Sequence, residues 1–261
     1  MTTSFDLPTA TDLRKIADRL LARLRSLDSV AVGFSGGVDS TLVLAAALRA
    51  LPANRVVAVI ADSPSLARTE LIDARQVAAD LGAELVEVRV AELDVPGYRA
   101  NAGDRCYFCK HTVLSAVSEL AVQRGIAHVA TGTHADDRRA VHRPGLRAAR
   151  ELHVVEPLAD AGLGKAEIRM LAAAWSLPVA DKPATPCLAS RIAVGVPAPS
   201  VGWAWWSAPR SRCERGWPEP VSNRVIYEFG CSVTDLPLSW TGRRTLRWRR
   251  RQDSPPRSSL K

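Results

Sequence analysis

A glycine-rich hexapeptide, SGGVDS at residues 35–40, places the tightest constraint on how this 261-residue chain can fold. It follows an apolar run from Val30 to Phe34 and precedes an Ala/Leu-rich stretch from Thr41 to Leu51. The apolar run predicts a buried strand and the stretch after it predicts a helix. A glycine-containing loop between a strand and a helix is suited to phosphate, because the free N–H groups that open the helix point at the loop.

The alternation of strand and helix continues through residues 1–195, which we predict to form one domain. Strands are predicted over 30–34, 55–61, 84–88 and 127–131, and helices over 11–27, 41–51, 65–81, 112–124 and 165–176. Repeated strand–helix units of this length predict an α/β fold with a doubly wound parallel sheet.

Residues 196–261 differ from this domain in composition. Six of the seven tryptophans lie after residue 200, together with 12 of the 35 Lys and Arg residues but only 5 of the 27 acidic ones. Three interpretations stay open: a reading frame that is lost near Val196, a disordered basic tail, or an Arg/Trp-rich segment that binds nucleic acid. Because the net charge of +8 resides almost wholly in this tail, we expect no nucleic-acid partner for the domain.

The cysteine content and the hydropathy predict a cytoplasmic protein with no membrane partner. Five cysteines, an odd number, argue against a disulfide framework. The first twenty residues mix charged and apolar side chains, unlike a secretory signal. No apolar run approaches the ~20 residues that a membrane-spanning helix needs.

The hexapeptide supplies groups that suit a nucleotide's phosphates. Gly36 and Gly37 let the backbone approach an anion, Ser35 and Ser40 offer hydroxyl donors, and the carboxylate of Asp39 is a candidate Mg²⁺ ligand. The GK[ST] of a Walker A loop is missing. The hexapeptide instead resembles the pyrophosphate loop of the adenine-nucleotide α-hydrolase superfamily, whose members cleave ATP between the α and β phosphates and transfer AMP to an acceptor.

Four further segments resemble the LarE family of ATP-dependent sacrificial sulfur transferases. They are ADSPS at 61–65, DRCYFCK at 104–110, the run over 130–151 and the run over 156–195. Two positions depart from the family: His134 stands where its members have Asn, and Val141-His142 replaces an acidic–aromatic pair.

This resemblance implies a reaction. ATP would adenylylate a carboxylate of pyridinium-3,5-biscarboxylic acid mononucleotide, and the thiolate of Cys187 would displace AMP. Cleavage of the Cβ–S bond would then leave a thiocarboxylate on the product and dehydroalanine on the protein. Cys187 lies in KPATPCLASR, where we expect the cations Lys182 and Arg191 to favour the thiolate.

The remaining candidate residues fall into three groups. Residues that end strands, where such folds hold a nucleotide, are Asp62, Ser63, Thr131 and Gly132. Cations expected to contact a polyanionic substrate are Lys110, Arg143 and Arg147. The carboxylate expected to share Mg²⁺ with Asp39 is Asp137.

The Cys106-x-x-Cys109 pair keeps alternatives open. Together with Cys187 it suits a [4Fe–4S] cluster that carries the transferred sulfur, whereas a zinc site would need His111 or His134 as well. Members of the LarE family form homo-oligomers. Other functions also remain: another pyrophosphate-loop ligase, such as a tRNA thiolase or an amidotransferase similar to NAD or GMP synthetase, or an inactive nucleotide-binding remnant.

Overall fold

The computed structural model of the chain describes residues 10–140 and 143–198. Its strands are β1 (Val30–Gly33), β2 (Val56–Asp62), β3 (Leu85–Arg89) and β4 (His128–Ala130). Its α-helices are α1 (Ala10–Arg25), α2 (Val38–Ala50), α3 (Arg68–Asp80), α4 (Pro96–Ala100), α5 (Arg105–Gln123), α6 (Ala135–Arg139), α7 (Pro144–Glu151), α8 (Pro157–Asp160) and α9 (Lys165–Ala174). Short 3₁₀ turns cover Ala53–Arg55, Glu92–Asp94 and Leu188–Arg191.

The strands form one parallel sheet in the order β3-β2-β1-β4. Val30 of β1 is in register with Val56 of β2 and with His128 of β4. A bridge between Ala130 and Val155 extends the edge beyond β4. Since all strands run in one direction, the segments that follow them meet at the same carboxyl edge.

Side chains of the strands alternate between two hydrophobic cores, one on each face of the sheet. Val30 and Val32 pack in the larger core with Leu20 of α1, Leu42 of α2 and Ile168 of α9. The core on the other face is formed by the strands together with α5 and α7. It includes Ala31, Val57, Leu114, Val117 and Ala149. Helices on both faces of a parallel sheet confirm the predicted doubly wound α/β fold.

Three predicted helix starts were wrong: that of α2, which begins at Val38 rather than at residue 41, and those of α3 and α5. Helix α3 begins at Arg68 rather than at residue 65, because the hydroxyl and backbone N–H of Ser65 bind Glu92 instead of opening a helix. Helix α5 begins at Arg105 rather than at residue 112, so the Cys106–Cys109 segment is helical. The ring of Phe108 there packs over Gly97 of α4, where a Cβ would lie 2.2 Å from it.

The stretch after β4 also holds more structure than its polar sequence predicts, since it contains α6, α7 and α8. No helix among the described residues has the length and apolar character to cross a bilayer. The predicted tail lies outside the described residues from position 199 onward, as do Val141 and His142.

Candidate active site

The SGGVDS loop connects β1 to α2 at the carboxyl edge of the sheet. Gly36 has φ +69°, and a Cβ on it would lie 2.9 Å from the Cβ of Ala74 on α3, so both conformation and space require glycine. The Ser40 hydroxyl accepts the Ser35 N–H at 3.2 Å and donates to the Gly37 carbonyl at 3.2 Å. These bonds hold the loop in a compact turn.

Helix α2 starts without a side-chain cap, since its N-cap residue is Gly37. The first N–H groups of an uncapped helix carry partial positive charge and have no intrahelical acceptor. This end of α2 can therefore receive an anion at the loop, as the sequence predicts.

Lys165 is a candidate site residue that the sequence analysis missed. Its Nζ lies 2.7 Å from both carboxylate oxygens of Asp39, and its backbone N–H donates to Asp136 at 2.8 Å. The contact joins residues 126 positions apart. The sequence feature that could have identified Lys165 is its place directly after the GLG turn, in the 156–195 segment, as the first residue of α9.

The segment after β4 packs directly on the start of α2. A Cβ on Gly132 would lie 2.8 Å from the backbone nitrogen of Ser40, so only glycine permits this approach. The hydroxyls of Thr131 and Thr133 lie 3.1 Å apart, and Lys110 Nζ donates to Thr133 at 3.4 Å. Burial lowers the pKa of Lys110.

Asp137 lies in α6 beside these groups. One of its carboxylate oxygens accepts the His134 N–H at 3.2 Å, and the other is 2.9 Å from Arg143 Nη2. Arg147 instead stacks on Tyr107, 3.7 Å from the ring centre, and pairs with Glu151 at 3.4 Å. Of these two predicted substrate cations, Arg143 thus lies beside Asp137, whereas Arg147 lies in the contact between α5 and α7.

The end of β2 carries two of the residues predicted to hold the nucleotide. Asp62 pairs with Arg68, the first residue of α3, at 2.5 Å. Ser63 is buried, and its hydroxyl lies 3.0 Å from that of Ser65. Both residues lie at the edge that carries the SGGVDS loop.

Cys187 lies at this edge too. The N–H of the next residue, Leu188, donates to the Ser65 carbonyl at 2.9 Å. Leu188, Ala189 and Ile192 then pack against Tyr98 of α4 in a small apolar cluster. Cys187 is exposed as a residue, while its thiol is partly removed from water.

The surroundings of Cys187 raise the pKa of its thiol, and Lys182 is engaged elsewhere. Partial removal from water raises the pKa of Cys187, and the nearby Cys106 adds to the rise. Lys182 instead pairs with Glu70 at 2.9 Å and Asp73 at 3.2 Å on α3. The cation whose charge opposes the rise in pKa is Arg105, at the start of α5.

The three cysteines of the candidate cluster lie within electrostatic range of one another. Cys106 is exposed and Cys109 half-buried in the first turns of α5. Burial, the charge of Glu92 and the other two cysteines raise the pKa of Cys109 to about 12. Across residues 10–140 and 143–198, however, no group of three His, Cys, Asp or Glu residues is arranged to hold a metal ion.

Comparisons with known proteins agree with this geometry. The sequence profile of the NAD synthase family matches residues 13–102, which include the SGGVDS loop, β2 and α3. Residues 13–102 thus resemble the NAD synthase family in sequence. An NH₃-dependent NAD synthetase from Campylobacter jejuni has a similar structure, with a TM-score of 0.51 and 19% identity over 66% of this chain and 77% of that one.

Two curated relatives are similar over a longer stretch. An uncharacterized protein of Synechocystis is 42% identical over 65% of this chain and 62% of its own length. The pyridinium-3,5-bisthiocarboxylic acid mononucleotide synthase of Lactiplantibacillus plantarum is 34% identical over 67% of this chain and 63% of its own length. The similarity to this synthase confirms the predicted LarE resemblance. The chain matches less than two-thirds of the length of either relative.

Proposed function

We propose that the chain is an ATP-dependent sulfur transferase that adenylylates a carboxylate of pyridinium-3,5-biscarboxylic acid mononucleotide and transfers the sulfur of Cys187 to it. The observation that carries the proposal is the hydrogen bond from Leu188 to Ser65. It anchors the cysteine segment to the end of β2, the strand adjacent to β1 and its glycine-rich loop. The 34% identity to a synthase of the corresponding bisthiocarboxylic acid supports the same reaction.

The first step uses the loop. The N–H groups that open α2 and the hydroxyls of Ser35 and Ser40 would bind the departing pyrophosphate, while Lys165 exchanges its bond with Asp39 for a phosphate oxygen. The substrate carboxylate attacks the α-phosphorus and the bond to the β-phosphate oxygen breaks. An acyl-adenylate and pyrophosphate result.

The second step uses the thiol. The Cys187 thiolate adds to the acyl carbon and AMP leaves, so a thioester joins the protein to the substrate. Loss of the Cα proton of Cys187 to a base then forms a Cα=Cβ double bond as the Cβ–S bond breaks. The sulfur and its electron pair leave on the product as a thiocarboxylate, and residue 187 becomes dehydroalanine.

Mg²⁺ would enter with ATP, and the residues present fit it. Mg²⁺ takes one or two protein carboxylates together with phosphate oxygens and water. We propose Asp39 and Asp137 as that pair: Gly132 brings the segment before α6 against the start of α2, and Lys165 bonds both Asp39 and Asp136. The ion would neutralise charge on the triphosphate.

The similarity to the Lactiplantibacillus plantarum synthase supports the sacrificial route, with a [4Fe–4S] cluster on Cys106, Cys109 and Cys187 as the alternative source of the sulfur. We therefore assign the sulfur to Cys187 itself. Iron analysis of anaerobically purified protein checks this assignment: a colourless, iron-free preparation is expected, whereas absorbance near about 400 nm with bound iron would support the cluster.

The proposed setting follows from the same chemistry. A reactive thiol that must stay reduced suits the cytoplasm. We propose that residues 1–195 form the catalytic domain and that the partner of the reaction is the mononucleotide alone. We also propose that the chain assembles into a homo-oligomer, as members of the LarE family do, and light scattering measures its mass in solution.

The test is which acceptor stimulates pyrophosphate release from ATP. The biscarboxylate mononucleotide should stimulate release, whereas deamido-NAD with ammonia and unmodified tRNA should not. Cys187→Ala should still release pyrophosphate, because adenylylation precedes the thiol's step. Stimulation by tRNA or by deamido-NAD alone would assign the chain to another ligase, and ATP binding without release under any acceptor would make it an inactive remnant.

A further inference from the structure

Glu92 is a charged residue with no exposed surface, beneath the cysteine segment. It opens the 3₁₀ turn that follows β3. One carboxylate oxygen accepts two hydrogen bonds from Ser65, from its hydroxyl at 2.9 Å and from its backbone N–H at 3.4 Å. The other carboxylate oxygen is buried and has no hydrogen-bond partner among the described residues.

Ser65 also forms a hydrogen bond to the cysteine segment. Its carbonyl accepts the Leu188 N–H at 2.9 Å, one residue after Cys187. Its hydroxyl is also 3.0 Å from that of Ser63, at the end of β2. A continuous path of hydrogen bonds therefore leads from Glu92 to the backbone beside the thiol.

This path supplies a backbone anchor directly after the thiol, at Leu188, which residues 183–187 before it lack. Two of the residues over 183–187 are prolines, which have no N–H to donate. Between Lys182 and Leu188, no backbone N–H of the described chain donates to another backbone group. Within its own turn the Cys187 carbonyl accepts bonds from the Ser190 N–H at 3.0 Å and the Ser190 hydroxyl at 2.7 Å, and the bond at Ser65 ties this turn to the end of β2.

Packing alone does not account for a carboxyl group at this position. A buried oxygen without a partner destabilises the folded state, and an apolar side chain of equal size would avoid that loss. Unlike an apolar side chain, a carboxyl group at this position provides the hydrogen-bond acceptor that holds Ser65.

We propose that Glu92 is a positioning residue for sulfur transfer: through Ser65 it fixes the backbone on which Cys187 meets the activated acyl group. The inference rests on the proposed function. We expect Glu92 to affect the second step. In the part of the chain that the structure describes, Glu92 has no hydrogen bond to the SGGVDS loop or to Lys165. The two half-reactions can therefore be separated.

The experiment compares three variants of the full chain. Glu92→Met keeps the volume and removes the acceptor, Glu92→Gln keeps one acceptor oxygen, and Ser65→Ala removes the hydroxyl but keeps the carbonyl that binds Leu188. Pyrophosphate release and dehydroalanine formation are measured in the same samples. A misplaced reacting group costs up to ~100-fold in rate, so we expect Glu92→Met to slow dehydroalanine formation at least ~10-fold with pyrophosphate release within about twofold of wild type.

Rescue separates positioning from folding. Glu92→Gln should recover most of the transfer rate, and Ser65→Ala should be slowed in transfer. The proposal is overturned if Glu92→Met transfers sulfur at the wild-type rate, or if both half-reactions fall by one factor. If Glu92→Met does not fold, transfer by Ser65→Ala at the wild-type rate overturns it as well.

A substrate-free measurement keeps the inference distinct from the proposed function. The rate at which iodoacetamide labels Cys187, relative to Cys106 in the same molecule, reports the placement of the thiol. A ratio changed at least ~3-fold in Glu92→Met and restored in Glu92→Gln supports positioning even if no acceptor yields dehydroalanine. An unchanged ratio overturns positioning, and loss of dehydroalanine in the wild type alone overturns only the proposed function.

Discussion

At the scale of single residues, Gly36 links the backbone of the loop to its proposed role. Its left-handed conformation costs an L-residue roughly 1–2 kcal/mol, and the Cβ of Ala74 fills the space where its side chain would go. Gly82, with φ +64° and nothing within 4 Å of its Cβ position, is a matched glycine away from the site.

These two glycines give a paired prediction. Gly82→Ala should lose about 1–2 kcal/mol of unfolding free energy and keep its affinity for ATP. Gly36→Ala should lose more stability than that and bind ATP at least ~10-fold more weakly, because the loop must move away from α3. Urea unfolding and nucleotide titration measure both quantities. Equal losses in the two variants would show that the contact with Ala74 has no effect.

The thiols make a second residue-scale prediction, on pH. The pKa of Cys187 is raised above the ordinary value of 9.0, so the thiolate fraction, and with it the alkylation rate, should still be rising at pH 9. Cys109, with a pKa of about 12, should stay unmodified at pH 8 in the folded protein. Peptide mass spectrometry after timed iodoacetamide treatment measures each site. A plateau for Cys187 below pH 8 would contradict the raised pKa.

At the scale of elements, the segment over 187–198 is docked at two ends. Ser65 holds its start, and Asn101, which is buried in a left-handed turn, holds its end. The Asn101 side-chain amide donates to the carbonyls of Ala193 at 2.7 Å and Val196 at 2.8 Å. An amide is needed here because both partners are acceptors.

Replacing this amide should release the segment without unfolding the sheet. Asn101→Asp keeps the shape but turns both donor positions into acceptors, so hydrogen exchange of the Gly195 amide should accelerate at least ~10-fold while β1 and β2 stay protected. Asn54→Asp, in an exposed turn, is the control. Unchanged exchange at Gly195 would mean that the apolar cluster around Tyr98 suffices to hold the segment.

At the scale of the whole molecule, the sequence predicts the fold well where patterns are local. Apolar runs and the SGGVDS loop predict β1, β2, α2 and their order, because a buried parallel strand is apolar along its length. The start of α5 was placed seven residues late because its first turns carry cysteines and mixed aromatic and charged side chains rather than one apolar face.

The site was less accessible to sequence reasoning wherever a contact spans the chain. The bond between Lys165 and Asp39, and the path from Glu92 through Ser65 to Leu188, join residues far apart in sequence with no spacing that relates them. Lys182 shows the converse: its nearness to Cys187 in sequence suggested a role at the thiol, and the fold pairs it with α3.

The most direct measurement of the central claim is the mass of the peptide that contains residue 187 after one turnover. Protein incubated with ATP, Mg²⁺ and the biscarboxylate mononucleotide should lose about 34 Da there, one H₂S, in proportion to the thiocarboxylate formed. Omission of ATP should leave the mass unchanged. Thiocarboxylate product together with an intact Cys187 would contradict the claim that this thiol is the source of the sulfur.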